Sequence, residues 1–391
     1  MIQTKNMQKK ITLIGFLLIL TAFFLIIVKS AWCAGPLMDG SIMDNSIGIA
    51  FNSIRDGKFS EAIQNEEKAL KISQELYGPL HPSLVPLYNN LGTLYRFIAD
   101  YEKAERDYKW GLALLEQNLG PNDPQVAGCL ENLAALYNDL GRLPEAELAA
   151  KRALSIRETD TNADPQILAQ TQALLGRIEL SLNNYSKAQN LFQKALETLG
   201  KASSANTGLS VDILNSLAQA DQSVQDDRQA QTCLEKSLDM TEKKFHADAI
   251  EVADAMSRLA DFFHSRGLEE KAQPLYASAF KIDQRYVGSV YSYDSLPYLK
   301  RMAKAFFSTG DAKSSENLWQ KILQTEKQAF SPRHPQVALD LFQLAQMEWA
   351  AGEKPKARKD LQESIDILKS YFPDDHTLVV QTQTELSKFE K

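Results

Sequence analysis

The sequence has few of the residues on which catalytic and metal centres usually depend. Its 391 residues include three cysteines and five histidines. It contains no Cys-x-x-Cys pair, no two histidines four residues apart, and no glycine-rich phosphate loop after a strand pattern. These absences exclude the common signatures of zinc sites, dithiol redox centres and nucleotide-binding loops. We therefore expect no cofactor, no bound metal and no catalytic activity, with an enzyme of unrecognised site as the weakest alternative.

Excess positive charge is also missing. The chain has 43 lysine and arginine residues against 50 aspartate and glutamate residues, a formal net charge of −7 at pH 7. The first 34 residues contain four lysines and no acidic residue, so the rest of the chain carries a net charge of −11. Because the phosphate backbone of a nucleic acid is a polyanion, this balance argues against a nucleic-acid partner.

No long stretch alternates apolar and polar residues as a strand does, and the pattern that is present is helical. Apolar residues recur at steps of three and four through residues 84–98 and again through residues 101–115, as in two amphipathic helices joined by a short turn. Such a pair cannot bury both of its apolar faces by itself. It therefore needs similar helix pairs on either side.

Those neighbouring pairs are present as eight repeats in one register. The period is 42 residues, with one residue inserted after the sixth repeat. A column of small residues runs through all eight repeats: Ala62, Ala104, Ala146, Ala188, Ala230, Ala272, Ser315 and Ala357. Small residues let two helices approach closely, while a second column, composed mostly of leucine, fills the space between them.

The second repeat carries a recognisable motif. Asn89-Asn90-Leu91-Gly92, followed by Tyr95, Tyr101 and Ala104, resembles the tetratricopeptide repeat. The 42-residue period and the linker Gly78-Pro79-Leu80-His81-Pro82 resemble the kinesin light chain variety of that family. The resemblance covers about residues 43–375.

The resemblance implies an all-α fold. We expect an α-solenoid, a right-handed superhelix of about eight antiparallel helix pairs, preceded by one N-terminal hydrophobic helix. The expected segments are a signal or anchor at 1–34, a linker at 35–42, the repeat array at 43–375 and a C-terminal capping helix at 376–391.

The N-terminal segment contains the one long apolar run, Ile11–Val28, which follows Lys5, Lys9 and Lys10. The run is at the lower edge of a membrane span and longer than a typical signal-peptide core of about 7–15 residues. Basic residues before the run predict that the N-terminus stays in the cytoplasm. We therefore expect the protein to associate with a membrane through this segment.

Cleavage of the segment and its retention as an anchor stay open as alternatives. Trp32 fits badly three residues before a cut after Ala34, whereas a cut after Cys33 places the acceptable Ala31 there. In either case we expect export. The repeats would be anchored at the inner membrane outside the cytoplasm, or would be periplasmic or secreted after cleavage.

The resemblance also implies where a partner would bind. In this family the first helix of each repeat lines a concave groove, and residues that flank the packing positions point into it. The positions carried over to this chain are Asn89, Asn90, Arg96, Asn132, Asn138, Arg177, Lys300, Lys304, Phe307, Phe342 and Trp349. Amide and guanidinium groups there could bond the backbone or carboxylates of an extended peptide. The alternative is that they are polar only because the groove is wet.

We expect the strongest contact at the C-terminal end of this groove. Two lysines beside three large aromatic side chains would suit a peptide with an apolar anchor and a carboxylate. The alternative is that Phe342 and Trp349 are covered by the capping helix, with Leu378 and Leu386 packing on them.

The sequence thus favours a non-catalytic scaffold, exported or membrane-anchored, that binds a protein or peptide partner in the groove. A structural, self-assembling repeat protein is the alternative. The sequence identifies neither the partner nor the oligomeric state.

Overall fold

The computed structural model describes residues 59–161, 163–201, 206–286 and 296–389. Within these ranges there are sixteen α-helices, one short 3₁₀ turn at Pro82–Leu84 and no strand, so the predicted all-α fold is confirmed there. The α-helices are α1 (Phe59–Tyr77), α2 (Val85–Phe97), α3 (Tyr101–Leu119), α4 (Pro124–Asp139), α5 (Leu143–Thr159), α6 (Pro165–Ser181), α7 (Tyr185–Gly200), α8 (Thr207–Ser223), α9 (Asp227–Lys244), α10 (Ile250–Ser265), α11 (Glu269–Tyr286), α12 (Leu296–Ser308), α13 (Ala312–Ala329), α14 (Pro335–Ala350), α15 (Lys354–Lys369) and α16 (Thr377–Phe389).

The expectations for the N-terminus fall outside these ranges. They are the signal or anchor segment 1–34 with its hydrophobic helix, the linker 35–42, and the first helix of the first repeat. We predicted that the repeats are exported and are either anchored to a membrane or released. This prediction of the localisation is wrong. None of the helices in the described ranges combines the length and the apolar character needed to cross a membrane.

The described residues divide into two compact units, residues 63–255 and residues 256–389, the second of which also takes in residues 59–62. In the first unit, α2 packs on α3, α4 on α5, α6 on α7 and α8 on α9, and each pair packs on the next. In the second unit, α12 packs on α13 and α14 on α15, and α16 packs on α15. Consecutive helices therefore form the pairs that the repeats predict.

The column of small residues lies in the core of both units. From Ala104 through Ala272, and again at Ser315 and Ala357, its members have no solvent-exposed surface. The leucine-rich column behaves in the same way, since Leu91 and Leu133 are both buried. The period read from the sequence is therefore the period of the packing.

The turn between the two helices of a pair repeats as well. One residue in each turn has a left-handed backbone, with φ values of 60° at Ala99, 70° at Gly141, 60° at Asn183 and 62° at Gln225. The same column continues with glycine in the second unit. Glycine adopts this conformation without steric cost, so the glycines in this column mark the turns independently of the apolar pattern.

Histidines in the linkers hold the starts of helices. The Nδ1 atom of His334 accepts a hydrogen bond from the backbone N–H of Gln336 at 3.1 Å. His81 and His376 accept the equivalent bond from residues two positions further on, and Asp123 does so with its carboxylate. Such side-chain caps satisfy N–H groups that a helix start leaves unbonded. These histidines are therefore accounted for by capping.

Two glycines on first helices lie directly beneath an aromatic ring of the second helix. A Cβ atom added to Gly92 would lie 2.6 Å from the ring of Tyr108, and one added to Gly176 would lie 2.7 Å from the ring of Phe192. Both rings are fully buried, so neither can move aside cheaply. We expect Gly92→Ala and Gly176→Ala each to lower the free energy of unfolding by about 1–2 kcal/mol, because overpacking outweighs the better helix propensity of alanine.

Urea denaturation measures this effect, and Gly128→Ala is the matched control. Its added Cβ would meet only a guanidinium nitrogen of Arg157, at 3.9 Å. At this position the better helix propensity of alanine should dominate and raise the free energy of unfolding by up to about 1 kcal/mol. Equal effects of Gly92→Ala and Gly128→Ala would show that the α2–α3 pair is packed less closely than described.

Candidate functional site

The first helices of successive repeats are neighbours in the first unit. Helix α2 contacts α4, α4 contacts α6, and α6 contacts α8. We call the face that these four helices share the first-helix surface. The predicted contact residues of this unit lie on α2, α4 and α6.

Asn89 and Asn90 are both buried on α2. The Asn89 side chain lies 3.5 Å from the sulfur of Cys129 on α4, and the Asn90 amide donates to Oε1 of Glu66 on α1 at 2.9 Å. Burial raises the pKa of Glu66 to about 7. The two asparagines thus join α2 to its neighbours on each side, and their direct contact with a partner stays a prediction.

Arg96 and Asp139 join two neighbouring first helices. The Nε atom of Arg96 donates to Oδ2 of Asp139 at 2.6 Å, and both side chains are partly exposed. Lys304 and Asp261, also 43 residues apart, make a similar pair at 3.3 Å in the second unit. The charge of Arg96 is therefore already neutralised by a neighbour.

Four amides on the first helices of the first unit carry atoms without a partner. Among the described residues, Nδ2 of Asn132, Oδ1 of Asn138, Oδ1 of Asn215 and both side-chain polar atoms of Gln172 have no hydrogen-bond partner, although almost no water reaches these atoms. Buried polar atoms are nearly always bonded in native proteins. These amides therefore mark hydrogen-bonding capacity that the described chain does not use.

Arg177 on α6 is exposed and has no hydrogen bond or ion pair between its guanidinium group and a described residue. Desolvation by the surrounding protein lowers the pKa of this group, the Asp212 carboxylate raises it, and the positive charge of Arg96 lowers it again. Asp212 lies on α8 and Arg96 on α2. These neighbours place the Arg177 guanidinium on the first-helix surface.

The predicted cations of the second unit are engaged by acids of the same unit. Lys300 lies 2.8 Å from Oε1 of the buried Glu326 and 2.9 Å from Oδ2 of the buried Asp340. Burial, reinforced by the neighbouring Asp340, raises the pKa of Glu326 well above its usual range. Lys300 thus links α12, α13 and α14. Phe307 is half-buried on α12.

The two predicted aromatics of the last repeat pack against the capping helix. The rings of Trp349 and Phe389 are stacked at 4.1 Å with an interplanar angle of 11°. Trp349, Phe342 and Leu386 surround a buried cluster that includes Ala345 and Phe389. This arrangement favours the alternative in which α16 covers the aromatics.

An acidic cluster in the second unit was missed by sequence reasoning. Carboxylate oxygens of Glu316, Glu348 and Glu353 lie within 4.8 Å of one another, and the ammonium group of Lys356 is 2.5 Å from Glu316 and 2.7 Å from Glu348. Lys356 therefore already supplies a cation to this cluster. Burial raises the pKa of Glu348 to about 7.

One buried acid could have been found from the repeat alone. Glu66 occupies the column that holds Tyr108, Ala150 and Phe192 in the next three repeats. An acid where the other repeats place an apolar or small residue indicates a buried carboxyl group.

Known proteins with similar sequences or structures agree with the helical fold described above. Models of the tetratricopeptide repeat family match residues 42–117, 126–159, 169–198 and 295–370, more than half of the chain. No curated protein sequence matches it. The apo form of RapI is 15% identical, with a TM-score of 0.53 over 73% of this chain and 97% of that chain.

Two further solved structures are similar at lower scores. A tetratricopeptide repeat protein from Parabacteroides merdae is 17% identical, with a TM-score of 0.46 over 73% of this chain and 93% of that chain. A putative kinesin light chain from Podosopora anserina is 17% identical, with a TM-score of 0.40 over 53% of this chain and 96% of that chain. At these identities the likeness concerns the fold alone.

Proposed function

This chain belongs to the tetratricopeptide repeat family, whose repeats serve as scaffolds for protein–protein interaction, and we propose that it is a non-catalytic scaffold that binds an extended segment of a protein partner on the first-helix surface of its first unit. One observation carries the proposal. The first helices of this unit hold amide atoms and a guanidinium group that have no hydrogen-bond partner within the described chain.

The unused hydrogen-bonding atoms of these amides carry an energetic cost. A polar atom that is withdrawn from water and left unbonded costs about 1–3 kcal/mol. An extended peptide offers backbone N–H and C=O groups along its whole length, which are the partners that asparagine side chains need. Binding would require the side chains of Asn132, Asn138 and Asn215 to rotate, because their unbonded atoms are buried in the described chain.

The second unit offers less for this purpose. Lys300 and Lys304 are paired with acids, and Trp349 is stacked on Phe389. A partner that recruited these side chains would first have to break contacts that already exist. This difference supports the first unit as the main binding surface.

A displayed library of ten-residue peptides, selected with the full chain, tests the proposal. We expect enriched peptides that compete with one another for one site. Asn138→Ala should weaken their binding about five- to tenfold, which is the change in affinity expected from the loss of one hydrogen bond. Asn190→Ala removes an exposed amide from the second helix α7 and should leave binding unchanged.

Two results would overturn the proposal. One is the absence of any enriched peptide. The other is an equal loss of binding in Asn138→Ala and Asn190→Ala. A molecular mass that grows with concentration in the absence of peptide binding would favour self-assembly instead.

A further inference from the structure

Three linkers in the described ranges carry an aromatic ring four residues before the histidine that caps the next helix. The pairs occupy the same two positions of the repeat and are Tyr77 with His81, Phe330 with His334, and Phe372 with His376. In the second unit both pairs are closely stacked, with ring centroids 4.1 Å and 4.2 Å apart and interplanar angles of 10° and 13°. Because capping uses the edge of the histidine ring, it does not compete with stacking on the face.

One of these pairs accepts a third ring. Phe59, the first residue of α1, stacks on Phe330 with ring centroids 5.1 Å apart and an interplanar angle of 15°. Phe59 is buried there, and all three rings belong to the second unit. Offset, nearly parallel ring contacts of this kind are favourable. The chain itself therefore contains an example of the side chain that an aromatic–histidine linker binds.

Among the described residues, the pair in the first unit has no third ring. The centroids of Tyr77 and His81 are 5.3 Å apart at an angle of 28°, and Tyr77 has no other ring contact there. An open cavity of about 340 Å³, which we call the linker cavity, is lined by Tyr77, Gly78, Pro79, Leu80, His81, Pro82 and Asn118. Its volume is at the lower end of the range for small-ligand pockets, ~300–1,000 Å³. It therefore suits a single side chain better than a large cofactor.

Exposed apolar side chains accompany the linker cavity. Leu80, which lines it, is 54% exposed, and Leu76, next to Tyr77 in the chain, is 63% exposed. Ile72 lies one turn earlier than Leu76 on the same face of α1 and is 55% exposed. Grouped apolar side chains on a surface are typical of sites that another protein covers.

We propose that the linker cavity binds a phenylalanine side chain of a partner protein. The ring stacks on Tyr77 as Phe59 stacks on Phe330, and apolar residues beside it in the partner cover Leu76 and Leu80. The cavity lies between α1 and α2 and includes none of the residues assigned to the first-helix surface. The inference is therefore independent of the proposed function and gives the chain a second contact for partners.

The test uses the full chain and two blocked amino acids. N-acetylphenylalanine amide is the probe, and N-acetylcyclohexylalanine amide is its matched control, because its ring is apolar and of similar size but has no π face. Saturation-transfer NMR measures both affinities. We expect the phenylalanine probe to bind about three- to tenfold more tightly, since only its ring can stack. Equal affinities, or no transfer to either compound, would overturn the proposal.

A double substitution removes the pair and leaves the helix start capped. The next linker has Leu119 and Asp123 at the positions of Tyr77 and His81, and Asp123 accepts the N–H of Gln125 at 2.9 Å. Tyr77→Leu with His81→Asp therefore introduces residues that the same chain already uses in an equivalent linker. We expect this variant to bind the phenylalanine probe about three- to tenfold more weakly and to lose the preference over the cyclohexyl compound.

Tyr185→Leu is the matched control variant, because Tyr185 is half-buried at the start of α7 and has no ring contact with a described residue. It should bind the probe as the wild type does, and so should Asn138→Ala, which tests the first-helix surface. If the double variant does not fold, Tyr77→Leu alone keeps the histidine cap and decides the same question. Unchanged probe binding in the folded variant would refute the site. A mass that rises with concentration in the wild type but not in this variant would assign the surface to a second copy of the chain and overturn the choice of partner.

Discussion

The free energy of unfolding is expected to fall as the pH rises from about 5 to about 8, because several glutamates hold protons in the folded protein. Burial raises the pKa of Glu66 and Glu348 from 4.5 to about 7, and it raises that of Glu326 well above its usual range. Asn90, Lys356 and Lys300 only partly offset this effect.

The sign follows from proton counting. Above a pH of about 4.5 the unfolded chain has released these protons, while the folded chain still holds them. Raising the pH therefore favours the unfolded chain until the folded carboxyl groups ionise as well. Each group contributes at most about 1.4 kcal/mol per pH unit within this window. The loss of stability across it should be on the order of 2–5 kcal/mol.

Carboxyl groups with lowered pKa values affect the free energy of unfolding at lower pH. Lysine and arginine partners, together with Tyr137, hold the pKa of Glu105 below its ordinary value against the opposing effect of burial. Its stabilising contribution is complete above the unfolded pKa of about 4.5 and is lost only at lower pH. Within the window from about 5 to about 8 the buried glutamates therefore decide the slope.

Glu326→Gln isolates one of these groups. Glutamine keeps the shape and removes the titration, and Lys300 keeps its contact with Asp340 at 2.9 Å. We expect the variant to be more stable than the wild type at a pH of about 8 and to show a flatter stability profile. Urea denaturation at several pH values measures both effects.

Glu242→Gln, an exposed position on α9, is the matched control and should follow the wild-type profile. Glu326→Gln would contradict the assignment if its profile had the same slope as that of the wild type. In that case Glu326 would be ionised in the folded protein, with Lys300 fully compensating its burial.

The repeat period predicts the fold because packing and turns obey it. The buried alanine column and the left-handed turn column, with members such as Ala104 and Gly141, recur at the same interval as the helices. A period identifies equivalent positions within a repeat. It therefore predicts the helix pairs and the face that each helix shares with its neighbours.

The period predicts the binding surface less well, because one particular neighbour decides whether a polar side chain is already paired. Arg96 and Arg177 both follow from positional carry-over, yet only Arg96 has an aspartate, Asp139, within ion-pair distance. Lys300 likewise depends on Asp340, 40 residues further along the chain. Pairing between such specific residues is visible only once the helices are placed.

Trp349→Ala should destabilise the second unit rather than abolish partner binding. The indole ring is stacked on Phe389 at 4.1 Å and packs on a buried cluster that includes Ala357 and Leu361. Truncating a fully buried tryptophan costs about 3–5 kcal/mol, and Trp349 is only partly buried. We therefore expect a loss of about 2–3 kcal/mol, measured by urea denaturation.

Trp110→Ala is the matched control, because Trp110 on α3 is 50% exposed. Its removal should change the free energy of unfolding by less than about 0.5 kcal/mol. Affinity for the selected peptides provides the second measurement. Unchanged stability of Trp349→Ala together with weaker peptide binding would restore Trp349 to the partner-binding surface that the sequence predicts.

A double-mutant cycle with Phe389→Ala decides whether the stacked pair itself holds the capping helix. If the two rings stabilise each other, the combined loss should be smaller than the sum of the single losses by about 0.5–1.5 kcal/mol. Arg358 bonds the backbone oxygen of residue 389 at 2.7 Å, and that bond survives the substitution. A coupling energy therefore reports on the rings and not on the anchoring of the backbone. Strict additivity would mean that each ring packs on the cluster independently, so that a partner could displace Trp349 without loosening Phe389.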